Sequence, residues 1–411
     1  MKILQLCKKF PYPLKDGESI ANTYMSKALN ELGNEITLLA MNTVKHFFDL
    51  KTLPADFDHY EAIHTVKLDN RVKPFDAFLN LFNTDSYHVS RFVSKEYNQK
   101  LIELLKETDF DIIQLETLYL TPYVDTIRKH SKAKIVMRSH NVEHEIWERM
   151  TENTTLFPKK KYLQYLTKQL KQYEIAHLNS YDTIVAITQR DLDYFKKLGF
   201  NKKGLVAPIG LGMSKYFPDY NSFQQPLSLS FIGSLDWMPN IEGLEWFLNN
   251  VMPKVNKRFP NLKLHIAGRN MPASLLNYKS ETVVIHGEVE SSTEFLNQHS
   301  VMIVPLLSGS GMRAKILEAM ALGKVSLTTS IGVEGIKATA DKEILLANTA
   351  DEFIQGIEKA HQLNGQLETL GRNARTFAVE HFDNKSIVKR YLQDLREMSK
   401  QNKVSTLKNV N

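Results

Sequence analysis

Cysteine is nearly missing. Cys7 is the single one in 411 residues, so no internal disulfide can close and a reducing compartment is expected. Long apolar runs are missing too. No stretch approaches the roughly 18 apolar residues of a membrane span. The opening MKILQLCKKF has too short an apolar run for a signal peptide. No low-complexity tract and no recognised nucleic-acid module is present, so nucleic acid is not an expected partner. These absences predict a cytoplasmic protein whose membrane contact, if any, is peripheral at the inner face of the cell membrane. Charge is one-sided only mildly, at +6 with a pI near 9.0. That suits a phosphorylated substrate or an anionic surface without demanding either.

What is present is a core-forming chain, 43% hydrophobic and long enough for two domains. KILQL at 2–6 reads as a buried strand, followed by the loop CKKFPYPLKDGES and a helical repeat that ends at Gly33. EITLLAM (35–41), DIIQLE (111–116), KIVMRS (134–139), TIVAIT (183–188) and GLVAPIG (204–210) read as further strands with helices between. After a loop containing Pro218 and Pro226 a second series starts. Its strands are SLSFIGS (228–234), KLHIAG (263–268), TVVIHG (282–287), VMIVPL (301–306) and KVSLTTS (324–330). Strand–helix alternation of this kind predicts two doubly wound parallel sheets. Ligands of such sheets bind beyond the carboxyl ends of the strands, and two such domains are expected to enclose a cleft.

The stretch 304–329, VPLLSGSGMRAKILEAMALGKVSLTT, carries the most information. A strand runs into Ser308-Gly309-Ser310-Gly311, and a helix follows. A helix N-terminus offers unpaired N–H groups and the positive end of a dipole, which suit phosphate. Gly309 and Gly311 would let backbone approach a ligand. Arg313 and Lys315 put two cations at the helix end where positive charge is disfavoured unless an anion sits there. The pattern reads as a diphosphate cradle, or else as an ordinary strand–helix turn with solvated charges. Glu318, three residues after Lys315, would accept ribose hydroxyls or simply pair with Lys315.

SGSGMRAKILEAMALGK resembles the donor-binding segment of family-4 retaining glycosyltransferases, which have the GT-B fold of two Rossmann-like domains facing each other across a cleft. The resemblance covers essentially the whole chain. FPYPLKDGESIANTYMSKALNELGNEITLLA is similar to that family's first loop and helix. YDTIVAITQRDLDYF with VAPIGLGMSKYFP, LSFIGSLDWMPNIEGLEWF, LKLHIAGR and VIHGEVES resemble its later elements, in order. The resemblance implies an acceptor-binding domain over 1–209, a nucleotide-sugar domain over 210–380, and a terminal helix over 381–411 packing back towards the first domain. It implies transfer of a hexosyl group, with retention, from a UDP- or GDP-linked donor to a glycan, lipid-linked or small-molecule acceptor in surface polysaccharide biosynthesis. No cofactor and no metal are expected. Glu318 falls on the family's ribose-binding acid, whereas its partner position seven residues earlier is Ser310. The usual arginine and lysine after the first donor-domain strand are replaced by Ser234 and Asn240, so Arg313 and Lys315 are expected to meet the diphosphate. Gly17 and Arg269 are further donor-side candidates, a simple turn and a surface arginine being the plain alternatives. A nucleotide-sugar epimerase or hydrolase, or a noncatalytic partner subunit, are the competing readings.

MRSHNVEH (137–144) also contains His140-x-x-Glu143-His144, a short zinc-hydrolase pattern. Zinc would need both histidines on one helix face. The strand KIVMRS instead places His140 at a strand end, where the resemblance assigns it to the transferred sugar. Glu116, Arg138 and Asn141 are acceptor-side candidates, with Glu143 beside them. His144 is expected at a solvated helix start. LFPKKKYLQYLTKQLKQYEIAHL (156–178) reads as a basic helix that would lie on an anionic membrane or cover the first domain. FDAFLNLFN (75–83) would be an apolar contact loop.

Overall fold

The computed structural model describes residues 1–14, 16–71, 86–152, 154–309 and 311–408. The apolar stretch 75–83 and Ser310 lie outside them. The chain divides into two units, Met1–Gly210 with Asn384–Asn411, and Leu211–Asp383.

The first unit is built on a parallel sheet of β1 (Lys2–Cys7), β2 (Glu35–Thr43), β3 (Ala62–Leu68), β4 (Ile112–Leu115), β5 (Lys134–Ser139), β6 (Thr183–Ala186) and β7 (Gly204–Val206). Their order is β3-β2-β1-β4-β5-β6-β7. The chain winds outwards from β1 and then returns to its other side, so β1 and β4 flank a topological switch point. The second unit repeats the scheme with β8 (Ser228–Ile232), β9 (Lys263–Ala267), β10 (Val283–Gly287), β11 (Val301–Val304), β12 (Val325–Thr328) and β13 (Leu345–Leu346), in the order β10-β9-β8-β11-β12-β13. Its switch point lies between β8 and β11. The edge strands β3 and β13 escape the sequence reading. β3 (AIHTVKL) mixes polar and apolar residues because an edge strand is only half covered.

Six helices matter for the site: α1 (Gly17–Glu31), α2 (Glu143–Glu152), α3 (Phe157–His177), α4 (Met238–Asn250), α5 (Ala314–Ala321) and α6 (Asn384–Lys408). Asp16 caps α1 by accepting from the Ser19 N–H at 3.0 Å. The helix α6 packs on α1, burying Ile387, Val388, Tyr391, Leu392 and Leu395 with Met25, Leu29 and Ile36. Two further cores fill the opposite face of the first sheet and the interior of the second unit.

The buried His59, His88 and His299 and the half-buried His265 are folded in uncharged. Burial drops His59, His88 and His265 to a pKa of about 4 and His299 to about 3. His265 stands 3.0 Å from His286, ring nitrogen to ring nitrogen, with the His299 ring beside it. The unfolded chain binds protons at these positions near the ordinary histidine value of about 6.5, before the folded chain does. Stability is therefore full above that pH and is lost as pH falls from about 6.5 towards 4. Calorimetry between pH 7.5 and 5 should show Tm falling steadily, and His265→Gln should flatten the slope.

Candidate functional site

In the first unit the site is organised around one carboxylate without contact to solvent. Glu116 follows β4 directly and is fully buried. Its Oε1 accepts from the amides of Gln5 and Gln114, which are register partners on β1 and β4. Its Oε2 accepts from the Arg138 guanidinium at 3.1 Å and faces His140 Nε2 at 3.1 Å. Arg138 also donates to the Ala21 carbonyl and Asn22 Oδ1 on α1. Tyr60 and Tyr391 donate in turn to the amide oxygens of the two glutamines, Gln5 Oε1 and Gln114 Oε1. Burial alone would raise the Glu116 pKa. The Arg138 charge and the hydrogen bond from His140 outweigh it and bring the carboxyl down to about 2.

Burial also lowers the His140 pKa, although Glu116 opposes the shift. A neutral imidazole beside an ionised carboxylate keeps its proton on Nε2, since the carboxylate can only accept. Nδ1 is then the basic nitrogen, held in place by a partner that is itself fixed. The structure places Glu116 and Arg138 underneath His140, as groups that position it. Asn141 is half-buried, and its carbonyl accepts from the Ser139 hydroxyl at 2.6 Å.

His144 is not at a solvated helix start; it is fully buried. Glu174, reaching across from α3, explains why. Its carboxylate accepts from the Glu143 and His144 backbone N–H groups at 3.1 Å each and meets His144 Nδ1 at 2.6 Å. A side chain from another helix thus caps α2, which has the partial positive charge that suits a carboxylate. The two histidines of the HxxEH pattern turn to two different carboxylates. Glu143 is buried as well, accepts from the Tyr119 hydroxyl at 2.9 Å, and has its pKa raised, first by burial. Lys8 and Lys9, from the loop after β1, pair with Glu18 at 3.3 and 3.7 Å.

In the second unit, the loops after β8, β9 and β11 meet. Lys315, in the first turn of α5, donates to Asn240 Oδ1 at 2.7 Å, and the Asn240 amide donates to the Ser234 carbonyl at 2.8 Å. Glu318 accepts from the Tyr216 hydroxyl at 3.0 Å. Lys315 and Glu318 therefore have separate partners. Burial, then the nearby Arg313 charge, pulls the Lys315 pKa down to about 7, while burial raises that of Glu318. Arg313 is the N-cap of α5; its guanidinium donates to the Gly311 carbonyl at 2.7 Å and lies 5.6 Å from the Trp237 ring centre. Gly309 has φ of 109°, and a Cβ there would come within 2.9 Å of Arg313 Nη2 and 3.3 Å of Trp237. Any other residue would be strained and would displace the arginine. A Cβ on Gly233 would likewise stand 3.2 Å from Lys315 Nζ. Ser234 accepts from Arg269 Nε at 2.8 Å, so these two donor-side candidates stand together. Gly17 opens α1 in the first unit, where a Cβ would meet nothing within 4 Å.

Sequence reasoning missed the partners: Gln5, Gln114 and Asn22 around Glu116, Glu174 behind α2, and Tyr216 beside Glu318. A readable signal existed for the first two, since KILQL and DIIQLE each interrupt an apolar strand with one glutamine.

The family model for Glycosyl transferases group 1 matches residues 226–362, inside the second unit. A protein from Klebsiella pneumoniae named "Uncharacterized 44.6 kDa protein in cps region" is 24% identical over 396 residues, covering 94% of this chain and 97% of that one. Among solved structures, sucrose-phosphate synthase from Thermosynechococcus elongatus aligns with a TM-score of 0.71 at 14% identity, over 97% of this chain and 99% of its own. Anabaena HepE in complex with UDP aligns with a TM-score of 0.67 at 14% identity, over 97% and 100%. The fold is GT-B. Together the family model and this fold support a glycosyltransferase function.

Glu116→Gln removes the charge that Arg138 and His140 share, leaving a buried guanidinium without its counter-ion. Breaking a buried pair costs about 3–5 kcal/mol. Denaturant unfolding should show a loss of that size, and the His140 resonances should titrate differently from those of the parent.

Proposed function

We propose that the chain is a retaining, metal-independent glycosyltransferase that moves a hexosyl group from a UDP- or GDP-linked sugar to a glycan, lipid-linked or small-molecule acceptor. The observation that carries the donor reading is the start of α5. There Arg313, Lys315 and Glu318 follow a glycine loop at the switch point of the second sheet, where α/β folds bind nucleotides. HepE, of the same fold, is known with UDP. The relative named for a cps region supports a role in surface polysaccharide synthesis.

In this reading Glu318 accepts from the ribose hydroxyls, and its raised pKa falls again once they donate to it. Gly309 and Gly311 let the loop approach the diphosphate and sugar, and Ser310 is assigned a hydrogen bond to the sugar, with Ser234, Arg269 and Gly17 on the donor side. The bond that breaks joins the anomeric carbon to a diphosphate oxygen. Negative charge grows on that oxygen, and Arg313, Lys315 and the α5 N-terminus stabilise it. The acceptor oxygen bonds to the same carbon, and its proton passes to the departing phosphate. His140, its ring fixed by Glu116, is assigned to the transferred sugar, and Asn141 to the acceptor side.

Calorimetric titration of the donor tests the ribose role. Glu318→Ala should weaken binding about 10- to 150-fold, the range of a charged hydrogen bond of about 1.5–3 kcal/mol, without unfolding the protein. Unchanged affinity would refute the assignment. His140→Ala should lower the transfer rate by about 10²-fold, and His144→Ala should instead lower stability. Release of UDP at full rate without any acceptor would point to a hydrolase.

Lys315 adds a pH dependence whose sign is fixed. It titrates at about 7 in the free protein, and a bound diphosphate favours its charged form. Donor affinity should therefore be highest below pH 7 and fall as pH rises above it, with proton uptake on binding. Lys315→Arg should remove the proton uptake, because a guanidinium stays charged throughout.

A further inference from the structure

Of the two readings of the helix α3, the structure agrees with the one in which it covers the first unit, because Leu163, Leu166 and Leu170 are buried there. What it leaves outside is its N-terminal tip. Leu156 and Phe157 are 67% and 71% exposed, far more than side chains of their size normally are in a folded unit. Met150, also exposed, stands two residues before the end of α2, and its carbonyl accepts from Thr154 on the way to that tip. Directly after Phe157 come Pro158 and then Lys159, Lys160 and Lys161, with the Lys161 ammonium 5.7 Å from the Phe157 ring centre. The one carboxylate of α3, Glu174, is buried under His144, so every exposed charged side chain of the helix is a lysine. Exposed Lys168 continues that stripe.

We infer that this tip docks the first unit on an anionic phospholipid bilayer. Leu156 and Phe157 enter the headgroup layer, while the lysines of the next turn reach the lipid phosphates. The charge pattern favours lipid. A protein partner would need a broad apolar patch, whereas here two or three apolar side chains stand beside the exposed Lys159 and Lys161, the pairing that combines insertion with surface attraction. The inferred contact is peripheral, made by a helix tip, and no described helix is long and apolar enough to cross a membrane. The inference is independent of the donor-site reading.

The test is sedimentation of the full chain with vesicles of phosphatidylcholine, with and without phosphatidylglycerol, in the absence of any nucleotide sugar. The protein should pellet with the mixed vesicles and stay in solution with phosphatidylcholine alone, and added salt should release it. Leu156→Ser with Phe157→Ser should weaken binding by about 10-fold or more. Lys159→Gln and Lys161→Gln should each weaken it about fivefold. All four positions lie on the surface, so the thermal transition should not move, and nucleotide binding should match the parent. Failure to pellet with phosphatidylglycerol vesicles, equal binding to both vesicle types, or full binding by the substituted proteins would overturn the inference.

Discussion

The charge on Glu116 is the constraint around which the first unit closes. A carboxylate removed from water is costly unless opposite charge and donors surround it. Here four donors come from three neighbouring strands and their ends. Gln5 reaches it from β1, Gln114 from β4, and Arg138 and His140 from β5 and its end. Arg138 then binds α1 through Ala21 and Asn22, and Tyr391 of α6 holds Gln114. Strand order puts β4 between β1 and β5, so the ends of these neighbouring strands can converge on one group. The last segment of the chain returns to this unit and contributes to the same network. A residue on the sequence's margin therefore bears on the orientation of His140.

The second unit handles charge differently. Glu116 is neutralised by the protein itself, but Lys315 rests on a neutral amide, Asn240, and its ammonium is disfavoured by burial. Glu318, also disfavoured as an ion, rests on a phenol. Charged groups held by neutral partners are poised to gain from a ligand, because the ligand supplies what the protein withholds. The first unit's network favours rigidity, and the loops of the second favour exchange. The same sheet topology supports both, since each set of residues follows the strands at a switch point.

Much of the fold was legible because buried parallel strands read as apolar runs. VMIV, VSLT and IIQL stand out from their surroundings, and their alternation with helices fixes the class. Two of the edge strands did not stand out: β3 is half covered and compositionally mixed, and β13 is only two residues long. At the site, residues whose placement comes from local chain geometry were legible: Gly309, whose φ demands glycine, and His140, placed by the end of β5. What could not be read was pairing over distance. Glu174 lies 30 residues from His144, and nothing in EHEIWERM announces that its helix start is sealed by a carboxylate from α3. A polar residue at a helix start looks solvated until the element packed over it is known. Tyr216, 102 residues from Glu318, was hidden for the same reason.

The HxxEH pattern illustrates how a short motif divides once the backbone is known. Its chemistry as a metal site requires the first histidine to share a helical face with the second, yet β5 ends at Ser139 and α2 begins at Glu143. The break falls between the two histidines, so each takes the partner its own element offers. His140 meets Glu116 beside β1 and β4, and His144 meets Glu174 beneath α2. Each carboxylate also binds groups other than its histidine: an arginine in one case, two backbone amides in the other. Drawing either histidine towards a shared ion would strip those groups of their acceptor. The first pairing fixes a ring at the mouth of the sheet, where chemistry occurs in this class of fold. The second fastens α2 to α3, whose other end carries the exposed Leu156 and Phe157. One eight-residue stretch thus contributes at once to the candidate site and to the anchoring of the helix that presents the unit's apolar tip.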